Sequence, residues 1–225
     1  MCPYILKRRV VFLIKMPKIT YAICVCDEAQ QLDSLLNFLV KVKEADDDIN
    51  ILHDIGRTND AVRHVLEKHK KDVTVLERAF SGDFAAHRNY QIEKCTGDYI
   101  LVIDADEMPQ ELLLRNIRQF EGEIMAIPRM NIFMGYTEEW LEKCNFKISS
   151  TGWVNWPDYQ LRYFKNDGTI RWDGEFHEKL VGGKVQALQA DPLLAFYHVK
   201  TVEQQDKNAV FYDSIFPPAQ PTNSS

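Results

Sequence analysis

Asp104, Asp106 and Glu107 close the segment Gly97–Pro109, which reads GDYILVIDADEMP. Tyr99 to Ile103 is a continuous apolar run rich in β-branched and aromatic residues, the pattern of a buried central strand. Three carboxylates cannot share an apolar interior without partners, because an unpaired buried charge costs several kcal/mol or shifts its pKa. They belong at the carboxyl end of the strand, where open α/β sheets bind ligands. A hard divalent cation prefers carboxylate oxygens together with water and substrate phosphate. The first expectation is therefore a metal–diphosphate site on the lip of a parallel sheet. Asp46–Asp47–Asp48 carries the same Asp-x-Asp spacing inside a charged run. No apolar strand precedes it, so it reads as a solvated face, and position rather than spacing separates the two.

The elements needed to position such a lip recur along the chain. Ile19 to Val25, Ile49 to Leu52 and Val73 to Leu76 read as three further strands. Between them, Leu32, Leu35, Leu36, Leu39 and Val40 recur at helical spacing, as do Ala61, Val62, Val65 and Leu66, with Thr58 or Asn59 as the second helix's cap. Gly82 to Cys95 reads as a third helix, with Phe84, Ala85, Ile92 and Cys95 inward and His87, Arg88 and Asn89 near its first turns. This alternation implies βαβ units and a mostly parallel sheet. Glu28, Asp54, Asp83 and the Asp104/Asp106 pair then follow successive strands on one rim. The first strand is not followed by GxGxxG, and no GxxxxGK[ST] loop is present, which argues against a dinucleotide Rossmann domain and a P-loop enzyme.

After Pro109 the pattern changes. A helix over Glu111 to Phe120 and a strand over Ile124 to Pro128 lead into an aromatic-rich half, with short strands expected over Tyr159 to Phe164 and Ala195 to Val199. A terminal helix is expected over Val202 to Phe216. Residues 1–17 read as an N-terminal extension and residues 217–225 as a disordered Pro/Ser/Asn tail. Residues 18–216 form one expected domain, divided near Pro109 into 18–109 and 110–216. His53, His64 and His69 read as surface or helix-face residues, and His198 as a satisfied core histidine.

The 225 residues carry a net charge of −6, with 45% hydrophobic and 27% charged residues. That balance suits one globular domain with a full core and argues against a nucleic-acid surface, whose affinity comes from Lys and Arg. Five cysteines without zinc-type spacing fit a reducing, cytoplasmic setting, with Cys24 and Cys26 as small core residues. No apolar stretch reaches membrane-spanning length, so the expectation is at most peripheral membrane contact through the basic–apolar start.

Taken together, ITYAICVCDE, HDIGRTND, SGDFAAHRN, TGDYILVIDADE, PDYQLRYF and RWDGEFHEKL resemble an inverting family 2 glycosyltransferase of the GT-A fold. The segments span about residues 18 to 200 in the family's order and are most similar to small bacterial and viral transferases that extend lipopolysaccharide core. One departure is Arg57, where such enzymes carry a small Ser in a Gly-Ser-Thr-Asp turn. The resemblance implies that Asp54 and the Cys26 to Glu28 loop hold the base and ribose. It makes 18–109 the nucleotide-sugar half and 110–216 the acceptor half, and puts Arg88 near the base or diphosphate; Asp83 joins the donor-binding candidates by its place on the rim. Asp104 would contact ribose or metal, and Asp106 would be the main ligand of Mn²⁺ or Mg²⁺. His177 is the candidate third ligand, with His198 the weaker one. Glu178 and Asp158 are the candidate bases, and Arg162 would pair either with diphosphate or with a structural carboxylate. Trp153 and Trp156 are the candidate acceptor-stacking residues, most other aromatics being core.

The implied chemistry is transfer of a sugar from a nucleoside-diphosphate donor, UDP first, to a glycan, lipid-linked saccharide or other hydroxyl acceptor. Negative charge develops on the leaving phosphate and oxocarbenium character on the sugar. A Lewis acid neutralises the first, and inversion needs one base on the acceptor side. Two rivals share the rim: a metal-dependent nucleotidyltransferase and a non-catalytic sugar-nucleotide binder. The first wants a basic loop after strand one, where this chain has the acidic CDEAQQ.

Overall fold

The apolar runs become strands because helices cover both of their faces. The computed structural model describes residues 16–216. Strands β1 (Ile19–Val25), β2 (Asp48–His53), β3 (Thr74–Glu77) and β4 (Tyr99–Asp104) alternate with helices α1 (Ala29–Val42), α2 (Asp60–His69) and α3 (Phe84–Ile92). The four strands lie parallel in the order β3-β2-β1-β4, so their carboxyl ends share one edge. Leu32, Leu35, Leu36 and Leu39 of α1 are fully buried in one cluster with Tyr21, Ile23, Ile51, Leu101 and Ile103. Each such leucine contributes about 1.5–3 kcal/mol relative to exposure. On the opposite face, Ala22, Ile100 and Val102 share a second cluster with Ile92, Phe164 and Trp172.

The second half adds β5 (Glu107–Pro109), α4 (Glu111–Asn116), β6 (Ile124–Met134), α5 (Glu138–Lys143), β7 (Val154–Lys165), β8 (Arg171–Asp173), β9 (Lys179–Val181), β10 (Val185–Ala187), β11 (Phe196–Thr201) and α6 (Val202–Ile215). One sheet crosses both halves, in the order β3-β2-β1-β4-β7-β6-β11-β5 with β10 beside β6. Within it only β7 and β5 run against the rest, which keeps the sheet mostly parallel. β8 and β9 form a separate antiparallel ribbon.

Several sequence expectations need correction. The strand expected to stop at Pro128 runs on to Met134. β10 pairs with Ile124–Ala126 and β11 begins pairing at Arg129, so Pro128 falls between the two partners. A missing N–H costs little there. The third helix is shorter than expected, because Asp83 caps it at Phe84 with a 2.8 Å bond from Ala86 N. The Asp46–Asp48 run is not a solvated face throughout: Asp47 is buried in an ion pair with Arg118, and its Oδ1 accepts from Ile19 N at 2.9 Å. His53 and His69 are buried rather than on the surface, the first 2.6 Å from Thr58 Oγ1 and the second 2.8 Å from Asp33 Oδ1. Of the aromatics expected to be core, Trp140, Tyr163, Phe164 and Trp172 are buried, while Tyr159 is exposed. Residues 1–15 and 217–225, which hold most of the expected extension and the expected tail, lie outside the described residues. Among the described residues no helix is long and apolar enough to cross a membrane.

Candidate active site

The shared carboxyl edge opens into a cleft of about 340 Å³, lined by Cys24 and Val25 at the end of β1, Cys26 and Glu28 after it, Asp54 and Arg57 after β2, Phe80 after β3, Asp104 at the end of β4 and Ala105 and Asp106 after it. Phe84, His87 and Arg88 of α3, Arg129 of β6, His198 and Lys200 of β11 and four residues of α6 complete it. α3 is held under the sheet by Gln91. Its Nε2 donates to Ile23 O and Asn50 O, both at 3.0 Å, while its Oε1 accepts from Cys24 Sγ. One turn earlier on the same face stand His87 and Arg88.

A continuous chain of charged and polar contacts runs across the edge. Arg88 bridges Glu178 (Nε to Oε1, 2.7 Å) and Asp104 (Nη2 to Oδ1, 3.0 Å). Arg162 bridges Asp104 and Glu107, each at 2.6 Å. Arg129 bridges Glu107 at 2.8 Å and Asp158 at 2.7 Å. Asp158 Oδ2 then accepts from Asn131 Nδ2 at 2.8 Å, and Asn131 Oδ1 lies 2.6 Å from His198 Nδ1. The chain ends at Asp106 Oδ2, 3.5 Å from His198 Nε2 and 3.0 Å from Lys200 Nζ. Pairing of this kind is what permits so many carboxylates at one buried rim.

The network sets the protonation states. Burial alone would raise the pKa of Asp104, but Arg162 and Arg88 override it and hold the carboxyl well below its usual range. At Asp106 the same opposition is won by His198 and Lys200, and at Asp158 by Arg129 and Asn131. Glu28 goes the other way. Burial raises its pKa, against the hydrogen bond its Oε2 accepts from Cys26 N at 2.9 Å. Cys26 Sγ and the carboxylates of Asp27 and Glu28 offer donor atoms within 4.8 Å of one another. Burial and the Glu28 charge push that thiol up to about 12, so it is a thiol and not a thiolate ligand.

The structure brings Glu28, Asp54, Arg88, Asp104 and Asp106 into one cleft. Asp83 stands outside its lining and spends Oδ1 on the α3 cap. His177, at φ +53°, is exposed, with its ring 3.8 Å from that of Phe176. The imidazole beside Asp106 is His198. Its tautomer follows from Asn131, whose amide nitrogen is fixed by Asp158 and whose oxygen therefore faces His198 Nδ1, so Nδ1 carries the proton. A second proton, on Nε2, makes the ion pair with Asp106 that lowers its pKa, and when a cation takes that proton's place the Nε2 lone pair faces the same point as the Asp106 carboxylate. Two Lewis bases converging on one point from the cleft wall suit a divalent cation. Both oxygens of Asp158 are engaged, by Arg129 and Asn131 on one side and by Gln160 at 2.8 Å on the other. Glu178 uses only Oε1, on Arg88. Arg162 takes the structural alternative and pairs with Asp104 and Glu107. Cys24 and Cys26 line the cleft rather than the core. Trp153 and Trp156 pack edge to face at 5.0 Å. Arg129, Lys200 and α6 went unread in the sequence as cleft residues, since nothing in their spacing marks them. Arg57, the departure from the small-residue turn, places its guanidinium 3.6 Å from the Phe211 ring centroid and so ties α6 to the cleft mouth.

The model of the glycosyl transferase family 2 matches residues 20–180 of this chain. The chain belongs to that family. A TPR repeat-containing protein of Synechococcus elongatus is 30% identical over 174 residues, which are 77% of this chain and 38% of that protein. Among solved structures, S. aureus TarS 1-349 in complex with UDP-GlcNAc matches with a TM-score of 0.56 at 15% identity, over 81% of this chain and 58% of that one. Its complex with UDP gives 0.55 at 13% identity, over 81% and 60%. The family 2 chain thus has the GT-A glycosyltransferase fold, and it spans under two thirds of the length of these relatives.

Proposed function

We propose that this chain transfers a glycosyl group, with inversion, from a nucleoside-diphosphate sugar to a hydroxyl of a glycan, a lipid-linked saccharide or another acceptor. The observation that carries the reading is the convergence of Asp106 and His198 on one cleft that also holds Asp54 and Arg88. Asp106 and His198, with Asp104 beside them, are the residues that would hold Mn²⁺ or Mg²⁺. A cation bound there supplies Lewis-acid neutralisation of a diphosphate. Arg88 adds a fixed positive charge on the same wall, held in place by Asp104 and Glu178. Lys200 supplies a second.

Glu178 is the proposed base. Its Oε2 has no donor from the described residues, whereas Asp158 has no oxygen free. The acceptor oxygen bonds to the anomeric carbon as the bond to the diphosphate breaks, and the acceptor's proton passes to Glu178. Trp153 and Trp156 are proposed to receive the acceptor sugar, as paired aromatic rings half-buried on the acceptor half.

The test is release of nucleoside diphosphate from a panel of UDP-, GDP- and dTDP-sugars with Mn²⁺, with chelator, and with Asp106→Asn. Metal-dependent release that the substitution lowers about 10²-fold or more is expected. Turnover of nucleoside triphosphates instead, or binding without any turnover, would overturn the reading.

A further inference from the structure

α6 closes one side of the cleft and lies beyond residues 20–180, the segment that the family matches. Its start is fixed: Thr201 caps it, its Oγ1 accepting from Gln204 N at 3.2 Å, and Trp140 Nε1 of α5 donates to Asp206 Oδ1 at 3.0 Å. None of its residues is buried, so core packing does not hold its far end. Aromatic rings do. The Arg57 guanidinium stands 3.6 Å from the Phe211 ring centroid. Tyr212 packs on Phe176, two residues before Glu178, and on Phe84 at the start of α3, with ring centroids 5.6 and 6.0 Å apart. Arg88, Arg129 and Lys200 of the cleft wall are each paired with a carboxylate. Arg57 has none among the described residues, and its charge is spent on Phe211.

Tyr212 lines the cleft, and no described residue bonds its hydroxyl. The charged groups around that hydroxyl are those of the reaction centre. Although part of the side chain is exposed, burial of the hydroxyl and the Asp104 charge raise its pKa, Arg88 opposes them, and Asp106 and Glu178 raise it further. The phenol therefore keeps its proton at neutral pH. Asp104, Asp106 and Glu178 already have their cationic partners. What remains is a neutral O–H donor, held by its ring and free at its tip, aimed at the space between the proposed metal ligands and the proposed base.

We propose that Tyr212 is a further catalytic residue, its hydroxyl donating to the distal phosphate of the donor's diphosphate, and that Arg57 is a positioning residue that holds α6 in place through Phe211. The inference rests on the nucleotide-sugar reading above. The bond from the anomeric carbon to the phosphate oxygen breaks with its electron pair left on that oxygen, the acceptor oxygen takes its place on the carbon, and the phenol keeps its own proton. A donor already aimed at the oxygen where charge develops is worth more in the transition state than before it. Arg57, the residue that departs from the small-residue turn, thereby acquires a partner in the helix that carries Tyr212.

Calorimetry with Mn²⁺ tests this, using the diphosphates and monophosphates of uridine, guanosine and thymidine on the wild type, Tyr212→Phe, Arg57→Ser and the double variant, each first checked for an unchanged melting transition. The wild type is expected to bind at least one diphosphate. Tyr212→Phe, which keeps the ring and its packing, should weaken that diphosphate about tenfold or more and leave the matching monophosphate unchanged. Arg57→Ser should show a smaller loss with the same selectivity. In the double variant Arg57→Ser should add nothing, because a residue acting through Tyr212 has no effect once the hydroxyl is gone. Unchanged diphosphate binding in Tyr212→Phe, or an equal loss for monophosphate and diphosphate, would overturn the role of Tyr212 while leaving the donor reading intact. Additive losses in the double variant would overturn the role of Arg57. A wild type that binds none of the diphosphates would overturn the donor reading as well.

Discussion

Two aspartate runs with the same spacing have opposite fates in this molecule. Asp47 precedes β2, at the amino ends of the parallel strands, and its side chain is 0% exposed. The Arg118 guanidinium, Ile19 N, Glu44 N at 3.1 Å and Tyr21 Oη at 3.4 Å saturate it. Asp104 ends β4 and Asp106 follows it at the carboxyl ends, and their side chains remain 30% and 19% exposed toward the cleft. One edge seals its carboxylate inside a structural ion pair. The other holds its carboxylates ionised and leaves them reachable. Sheet polarity decides which is which, since βα loops at the carboxyl edge splay apart around the ligand crevice.

Substitution at Asp47 should produce the largest effect, on stability alone. Asp47→Ala strands the buried Arg118 charge and the Ile19 N–H, and a loss of about 3–5 kcal/mol is expected. For a domain of this size that lowers the melting midpoint by on the order of 10 °C. Removing both partners in Asp47→Leu/Arg118→Met should recover much of it, because the penalty lies in the unpaired charge. A denaturant series on the three proteins checks this. An Asp47→Ala protein that melts like wild type would break the contrast.

Asp106→Asn should show the reverse pattern. Turnover of the nucleotide-sugar donor is expected to fall about 10²–10³-fold, with a smaller loss of stability than in Asp47→Ala, since Asp106 is part exposed and water screens its pairs with His198 and Lys200. Steady-state kinetics beside a melting curve separate the two. Loss of stability in proportion to activity would place Asp106 with Asp47 as a structural carboxylate.

The difference between the edges was only half legible in the sequence. Tyr99 to Ile103 reads as a central strand because five apolar residues in a row need two covered faces, and β4 occupies that span and one residue more. The leucines of α1 are equally plain at helical spacing. Asp47 was not legible, because its partner Arg118 lies 71 residues on and its burial depends on where α4 docks. His198 reads as a weaker candidate than His177 for a similar reason. Only the register of β11 against β5 and β6 brings it beside Asp106 and Asn131. Patterns local to one element survive reading in isolation. Contacts set by long-range strand register do not.

Glu178 and Asp158 sharpen the contrast within the carboxyl edge itself. Glu178→Gln should lower turnover about 10²-fold, the lower end for loss of a general base. Asp158→Asn should alter activity only a few-fold and instead cost roughly 1–3 kcal/mol of stability, through the bonds lost to Arg129 and Asn131. Turnover rates with paired melting curves distinguish them. A reversed outcome would move the base to Asp158.

The smallest expected effect has a sign that is the useful part. Asp104, Asp106 and Asp158 have depressed folded-state pKa values. As pH falls through the carboxylate range, the unfolded chain takes up protons first, and stability falls with it. Glu28 has a raised pKa, so the folded state binds its proton first and pays a penalty only when Glu28 is ionised. That penalty is present at neutral pH and disappears as pH falls below the unfolded glutamate range. Glu28→Gln should therefore raise the melting midpoint slightly at pH 8, and the gain should shrink toward pH 4. The three aspartates should show no such gain when made amides. A constant gain at all pH values would mean that Glu28 acts through shape rather than charge, and that the whole carboxyl edge titrates with one sign.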